Sequence, residues 1–283
     1  MAMVRQFRVA NYSTQLYEFP GDAYIDDETY AESIDNGYLS SVATCSGAAA
    51  SFGLLLDFES VERWKRIAAC AGLVDDLLDD SENIQAAHAT FKHFYPQLFY
   101  EGCIRGTALP IEADERLLPA AFLLKNSVKV IEPRRAEHLF ELGHRIGSIA
   151  LEKSQTSDID QYIDLLREEA ASTAGVISES VSDVVREQDG FHDFKTWCNQ
   201  AIELAALADH AFDFRRDVIA GRTSCAKNLR NQSLLYKAAS RCGYHHWKSK
   251  AHRQAMVSAI RTRLRGSSQQ NLVASNYAYD TVE

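Results

Sequence analysis

Residues 204–221, LAALADHAFDFRRDVIAG, combine a helical apolar pattern with three evenly spaced aspartates. Asp209, Asp213 and Asp217 are four residues apart, a spacing that stacks side chains along one helix face, about 5 to 6 Å between neighbours. The same face upstream is apolar, with Phe194, Cys198, Ile202 and Ala205. The pattern predicts a helix with one face that is apolar and packed in its first half and acidic in its second half.

The rest of the chain also has helical spacing of its apolar residues and no convincing hairpin pattern. All five prolines lie at or before Pro133, so long uninterrupted helices are expected after it. We predict an all-α, single-domain bundle of about ten helices around a central apolar cavity, spanning residues 1–283, with disordered segments at 1–25 and 267–283. The predicted helices are 28–35, 38–56, 59–80, 83–100, 114–127, 133–154, 158–186, 190–221, 231–241 and 245–265.

Composition narrows the classes of partner. A net charge of −9 and a pI near 5.5 disfavour nucleic acid and anionic membrane surfaces. The six cysteines have no metal-ligand spacing, so reduced thiols and a cytoplasmic location are expected. The N-terminus lacks the apolar segment of a signal peptide. Residues 36–56 contain no charged residue over a length that could span a membrane. Their many small and polar residues nevertheless favour packing in a soluble core over membrane insertion.

A second acidic cluster, LVDDLLDD, lies at residues 73–80. Stepping back from Asp79 and Asp75 along a helix gives Ala71, Ala68 and Trp64, so this packing face also ends in carboxylates. If the two helices face each other, they form an apolar pocket with acid at its mouth. Taken alone, either cluster could be a solvated surface.

Clustered carboxylates repel one another unless cations bridge them. Mg²⁺ suits this donor set, because it binds carboxylates and completes its octahedron with water and phosphate oxygens. Zinc is disfavoured, since no His or Cys lies at ligand spacing nearby. Arg215 and Arg216 could bind a diphosphate, whereas Arg222 and Lys227 are better explained as cations at a helix C-terminus before Gly221.

Together the motifs resemble those of class I terpenoid synthases. DDLLD at 75–79 is similar to the family's DDxxD, and DHAFDFRRD at 209–217 resembles its second metal motif, followed by FRRDVIAG in place of YxREVAxG. The resemblance implies that three Mg²⁺ are held by Asp75, Asp76, Asp79, Asp209, Asp213 and Asp217. The departures are His210, where Asp is usual, and Asp213, where Ser or Thr is usual.

The resemblance also implies further site residues. Arg216 matches the basic residue that touches the diphosphate, and YIDLLREEAASTAG at 162–175 offers Arg167 as a diphosphate sensor, with a helix break at Ala174–Gly175. Near the C-terminus, Tyr277 is the candidate cap of the closed site. Phe52, Phe212 and Tyr277 are candidates for stabilising carbocations near the mouth, although core packing explains each equally well.

The implied activity is that of a Mg²⁺-dependent terpene cyclase, a carbon–oxygen lyase acting on a prenyl diphosphate. We expect no nucleic-acid partner and no stable membrane insertion, and the chain is compatible with a homodimer. A head-to-head coupling enzyme resembling phytoene and squalene synthases is the alternative, since VDDLLDD resembles its VDDIVDD. That group has a further acid at the position of Gly221. A non-enzymatic helical scaffold with solvated acidic faces is the third reading.

Overall fold

The computed structural model describes residues 36–79, 127 and 131–261. Every regular element in these ranges is a helix, which confirms the all-α prediction within them. The helices are α1 (Asn36–Ser51), α2 (Phe58–Asp79), α3 (Pro133–Gln155), α4 (Ile159–Glu179), α5 (Asp183–Arg186), α6 (Phe191–Ile219), α7 (Leu229–Lys248) and α8 (250–261).

The ten-helix architecture and its central cavity stay predictions. The predicted helices 28–35 and 83–100, and 114–127 except for the helical residue 127, lie outside the described residues. So do the terminal segments 1–25 and 267–283.

Local signals in the sequence set several helix ends. The Asp158 side chain accepts a hydrogen bond from the backbone N–H of Asp160 at the start of α4, and Asn228 accepts one from Asn231 at the start of α7. Helix α6 ends at Ile219, and Gly221 follows with a φ of 73°, a left-handed conformation that glycine adopts without strain. The predicted helix end before Gly221 is therefore confirmed.

The predicted helix 158–186 is wrong in its last part, because the chain leaves the helix at Ser180 and starts α5 at Asp183. The start of α2 holds this break in place. Arg63 donates to the Ser180 carbonyl, and the Ser182 backbone N–H donates to the Ser60 hydroxyl at 2.8 Å. The Ser182 hydroxyl then caps α5 by accepting from the Val185 N–H.

The predicted break at Ala174–Gly175 is also wrong, since α4 runs through both residues. Gly175 serves packing instead. A Cβ added there would lie 2.9 Å from Cδ1 of Leu142, so the glycine lets α3 approach α4 closely. A glycine at such a contact cannot be distinguished from a helix breaker by sequence alone.

The largest helix contacts join α3 to α4, α4 to α6, and α6 to α7. Helices α4 and α6 are antiparallel, because Tyr162 meets His210, Arg167 meets Glu203, and Glu179 meets Lys195. The order of these pairs places the C-terminus of α4 beside the N-terminus of α6.

Two apolar clusters hold the helices together. The first core joins α1, α2, α8 and the first half of α6, and includes the stacked rings of Trp64, Phe194 and Trp197. The second core joins α4, the second half of α6 and α7, around Leu166, Leu207, Phe214 and Leu235.

The five cysteines among the described residues are free. Burial raises the pKa of the Cys70 thiol to about 12. None of the helices within the described ranges is both long enough and apolar enough to cross a membrane.

A histidine pair closes the first core where α7 meets α8. Nδ1 of His246 lies 3.2 Å from Oε1 of Gln200, and Nδ1 of His252 lies 3.0 Å from the same oxygen. Their rings are 5.2 Å apart. Burial, together with the charge of His252, lowers the pKa of His246 to about 4, and burial lowers the pKa of His252 despite Asp193 nearby.

Acid should therefore destabilise the fold through His246. Because the unfolded chain takes up this proton near pH 6.5 and the folded chain only near pH 4, the free energy of unfolding falls as the pH drops through this window. We expect His246→Asn to lose less stability than the wild type between these pH values, by about 3 kcal/mol. Urea unfolding at several pH values measures this. The exposed His138→Asn is the control, and parallel profiles for wild type and His246→Asn would contradict the account.

Candidate functional site

The face of α6 changes character along its length, as the sequence pattern predicts. In the first half, Phe194 and Cys198 are buried in the first core, and Ile202 packs against it. Ala205 and Asp209 on the same face are exposed. The face that packs on α1 and α2 thus continues as an uncovered acidic face.

The three aspartates differ in exposure. Asp209 is exposed, Asp213 is half-buried, and Asp217 retains only 3 % of its accessible surface. Residues four apart are offset by about 40° around a helix, so the stripe drifts towards α4 over two turns. The carboxylates are therefore not equivalent.

Asp217 belongs to a buried polar network between α4 and α6. Its Oδ2 lies 3.2 Å from Nδ1 of His210, and its Oδ1 lies 3.8 Å from a guanidinium nitrogen of Arg222. The Tyr162 hydroxyl lies 2.9 Å from the same His210 nitrogen. Burial, with the nearby Asp217 carboxylate, raises the pKa of Tyr162 well above its usual value.

The proton on His210 decides how this network is wired. With Nδ1 protonated, His210 donates to Asp217. With Nδ1 unprotonated, Tyr162 donates to His210, and Asp217 depends on Arg222. In both arrangements the network connects α4, α6 and the segment after α6.

Asp213 makes a different contact. Its Oδ2 accepts a hydrogen bond at 2.6 Å from Arg216, one turn further along α6. The Arg216 side chain is 68 % exposed, so this pair lies in water and is readily exchanged. Asp213 and Arg216 are therefore accessible to a ligand on the acidic face.

Arg167, the predicted diphosphate sensor, lies with other partners. It donates to Glu203 at 3.2 Å and to Asp164 at 3.0 Å. Glu203 precedes Asp209 by more than one helical turn. The structure therefore brings Arg216 to the acidic stripe and leaves Arg167 in a separate ion-pair group.

The first acidic cluster lies at the end of α2, whose backbone is described through Asp79. The side chains of Asp75, Asp76 and Asp79 lie outside the described residues, as does Tyr277. Upstream on α2, Trp64 is buried and Ala68 packs against the first core. Ala71, the third residue of the predicted packing face, is exposed. The packing face is therefore confirmed at Trp64 and Ala68 and wrong at Ala71.

The two aromatic candidates within the described ranges differ in location. Phe52 packs against Phe194 and Trp197 at the start of α6, so it is a core residue away from the acidic stripe. Phe212 is 71 % exposed and meets Tyr236 edge-on.

The donor set on α6 fits Mg²⁺ in chemistry, because carboxylate oxygens are its preferred protein ligands. Asp209 and Asp213 have accessible oxygens for it, whereas Asp217 would have to exchange His210 or Arg222 for a metal. Among the side chains that the structure describes, no three His, Cys, Asp or Glu residues converge as metal ligands.

No protein-family model, curated protein or solved structure matches the chain.

Sequence reasoning missed the roles of Tyr162 and Glu203, and it explained Arg222 only as a cation at a helix end. Each of these residues meets its partner through the antiparallel register of α4 and α6 or the turn after Gly221. No spacing along the chain signals that register.

The aspartates should separate by role when each is neutralised. Asp217→Asn should lower the free energy of unfolding by about 1 to 3 kcal/mol, because it disrupts a buried charged network. Asp213→Asn should change it by less than about 1 kcal/mol, since only an exposed ion pair is lost. Urea unfolding without added metal measures both, with Asp209→Asn as the exposed control. A larger loss for Asp213→Asn than for Asp217→Asn would contradict the described network.

Proposed function

We propose that the protein is a Mg²⁺-dependent terpene synthase, which ionises a linear prenyl diphosphate such as farnesyl or geranylgeranyl diphosphate and cyclises the resulting carbocation. The observation that carries this proposal is the face of α6, which is apolar and buried in its first half and acidic in its second, where Asp209 and Asp213 are accessible. A site for a hydrocarbon chain with a diphosphate at one end needs an apolar surface that adjoins an acidic, metal-binding one.

The placement of α2 supports the same proposal. Arg63 and Trp64 donate to backbone carbonyls at Ser180 and Ile177, so α2 starts beside the C-terminus of α4, where α6 also starts. Asp75 lies about 16 Å beyond Trp64 along α2, and Asp209 about 22 Å beyond Phe194 along α6, at 1.5 Å per residue. We propose that both acidic ends reach the same end of the bundle.

Asp75, Asp76 and Asp79 would hold the metal ions together with Asp209 and Asp213, and with Asp217 after exchange of its partners. When bound, Mg²⁺ would neutralise these carboxylates and bind the diphosphate oxygens.

The side chains of α6 account for the rest of the mechanism. Arg216 exchanges its exposed pair with Asp213 for the diphosphate and donates hydrogen bonds to oxygens that gain charge as the allylic carbon–oxygen bond breaks. Apolar surface next to the acidic stripe would exclude water from the carbocation. Loss of a proton or capture of water then ends the reaction.

Incubation of the purified protein with geranyl, farnesyl and geranylgeranyl diphosphates and Mg²⁺ tests the proposal. We expect diphosphate release and a hydrocarbon with as many carbons as its substrate, identified by mass spectrometry. A product of twice that size would instead indicate a coupling enzyme similar to phytoene and squalene synthases. No diphosphate release from any substrate by the folded protein would contradict the enzymatic proposal and favour a scaffold.

Arg215 and Arg216 give a matched pair of variants, because both are exposed and adjacent on α6. Arg216→Ala should slow diphosphate release by an amount equivalent to about 2 to 4 kcal/mol, as expected for loss of one donor to a developing oxyanion. Arg215→Ala should change it little. Equal effects of the two substitutions would assign Arg216 only a general electrostatic role.

A further inference from the structure

Charge is distributed very unevenly along the chain. Residues 218–279 contain eleven Lys and Arg and no Asp or Glu, whereas residues 1–217 contain 37 Asp and Glu against 19 Lys and Arg. The net charge of −9 is therefore the sum of a strongly acidic part and a strongly basic part. Helices α7 and α8 lie entirely in the basic part.

The basic residues of α7 form one row on its surface. They recur at intervals of seven, four and seven residues, a spacing that keeps side chains on one helix face, and all are exposed. We call them the basic row: Arg230, Lys237, Arg241 and Lys248. Within the described ranges no carboxylate pairs with any of them, so their charge faces solvent.

Large apolar side chains lie beside the basic row on the same exposed side of α7. Their exposed fractions are 72 % for Leu229, 39 % for Tyr236, 63 % for Tyr244 and 58 % for Trp247. We call these four residues, three of them aromatic, the aromatic row. The Lys248 ammonium lies 4.6 Å from the Tyr244 ring centroid, which ties the two rows together.

Packing on the bundle accounts for the opposite side of α7, where Leu235, Ala238 and Ala239 are buried in the second core. The aromatic row takes no part in that core. On α8, Val257 and Ile260 are also exposed, at 39 % and 51 %. These apolar side chains of α7 and α8 are thus exposed rather than packed on the bundle.

We propose that the basic and aromatic rows of α7 bind the surface of an anionic lipid membrane. Lys and Arg beside a bilayer are attracted to acidic headgroups, and Trp and Tyr rings prefer the boundary between headgroups and acyl chains. A helix with these two rows lies in the plane of the interface without crossing it. The proposal is independent of the proposed enzymatic function.

Lipid fits this surface better than nucleic acid does. Phosphate backbones would account for the basic row, and bases could stack on the rings. An aliphatic side chain such as Leu229 gains little from either contact, but it is stabilised when transferred into the acyl region. The whole-chain charge that disfavours an anionic membrane does not describe this face, because charges beyond about 8 Å are largely screened at physiological salt.

Vesicle binding tests the proposal with a built-in reporter. The chain has three tryptophans, of which Trp64 and Trp197 are buried and Trp247 is exposed, so a change in tryptophan emission on binding reports mainly on Trp247. We expect the protein to sediment with phosphatidylcholine vesicles containing about 30 % phosphatidylserine, with a blue-shifted emission, and not with pure phosphatidylcholine vesicles. Raising the salt to about 1 M should release it.

Matched variants identify the face that binds. Lys237→Glu and Arg241→Glu should each weaken binding by at least about fivefold, as expected for loss of a basic residue at an anionic surface. The exposed Arg134→Glu, the same charge change on α3, should leave binding unchanged. Trp247→Ala should remove the emission shift and weaken binding with the basic row intact.

Three outcomes would overturn the proposal. One is failure of the wild type to bind phosphatidylserine vesicles, and another is an equal loss of binding in Arg134→Glu and Lys237→Glu. The third is binding of a fluorescently labelled RNA that depends on Lys237, in the absence of vesicle binding, which would assign the surface to nucleic acid.

Discussion

The stacking of Trp64 on Phe194 is the contact on which the architecture of the proposed site depends. The rings lie 6.1 Å apart inside the first core, and each belongs to a helix that later carries an acidic motif. Because Trp64 also donates to the Ile177 carbonyl at 3.0 Å, α2 is fixed to α4 and α6 together. Aromatic pairs of this kind add about 0.5 to 1.5 kcal/mol to the stabilisation from burial. The acidic ends of both helices are thus placed relative to one shared contact.

The second half of α6 contains three carboxylates, and burying any of them opposes folding unless a partner compensates its charge. Asp217 is buried and is compensated by its contacts with His210 and Arg222, whereas Asp209 and Asp213 remain accessible. A carboxylate with buried partners stabilises the apo protein, and an accessible one is available to a cation. One helix therefore combines a structural acid and candidate ligand acids within a single motif. The basic row belongs to the next helix along the chain, α7.

Much of the fold could be predicted from local patterns. The helical spacing around Phe194 and Asp209, the cap at Asp158 and the glycine at 221 each act within a few residues, so sequence reports them directly. What depends on tertiary register could not be predicted. Gly175 is a residue typical of helix breaks but allows close packing on Leu142, and α4 ends beside Ser180, whose carbonyl accepts a hydrogen bond from Arg63. The same limit hid the Tyr162–His210 contact and the distance of Arg167 from the stripe. The predicted pairing of the two acidic motifs also depends on the tertiary register of their helices.

Electron paramagnetic resonance of Mn²⁺, used in place of Mg²⁺ with inorganic diphosphate, tests most directly whether α2 and α6 share one metal centre. Titrations of the wild type, Asp75→Asn, Asp213→Asn and the double variant give a double-mutant cycle for metal affinity. If the carboxylates share the centre, each single substitution should weaken binding strongly, and the double substitution should weaken it by clearly less than the sum. Additive losses, or no diphosphate-dependent binding of Mn²⁺ by the wild type, would contradict a shared centre.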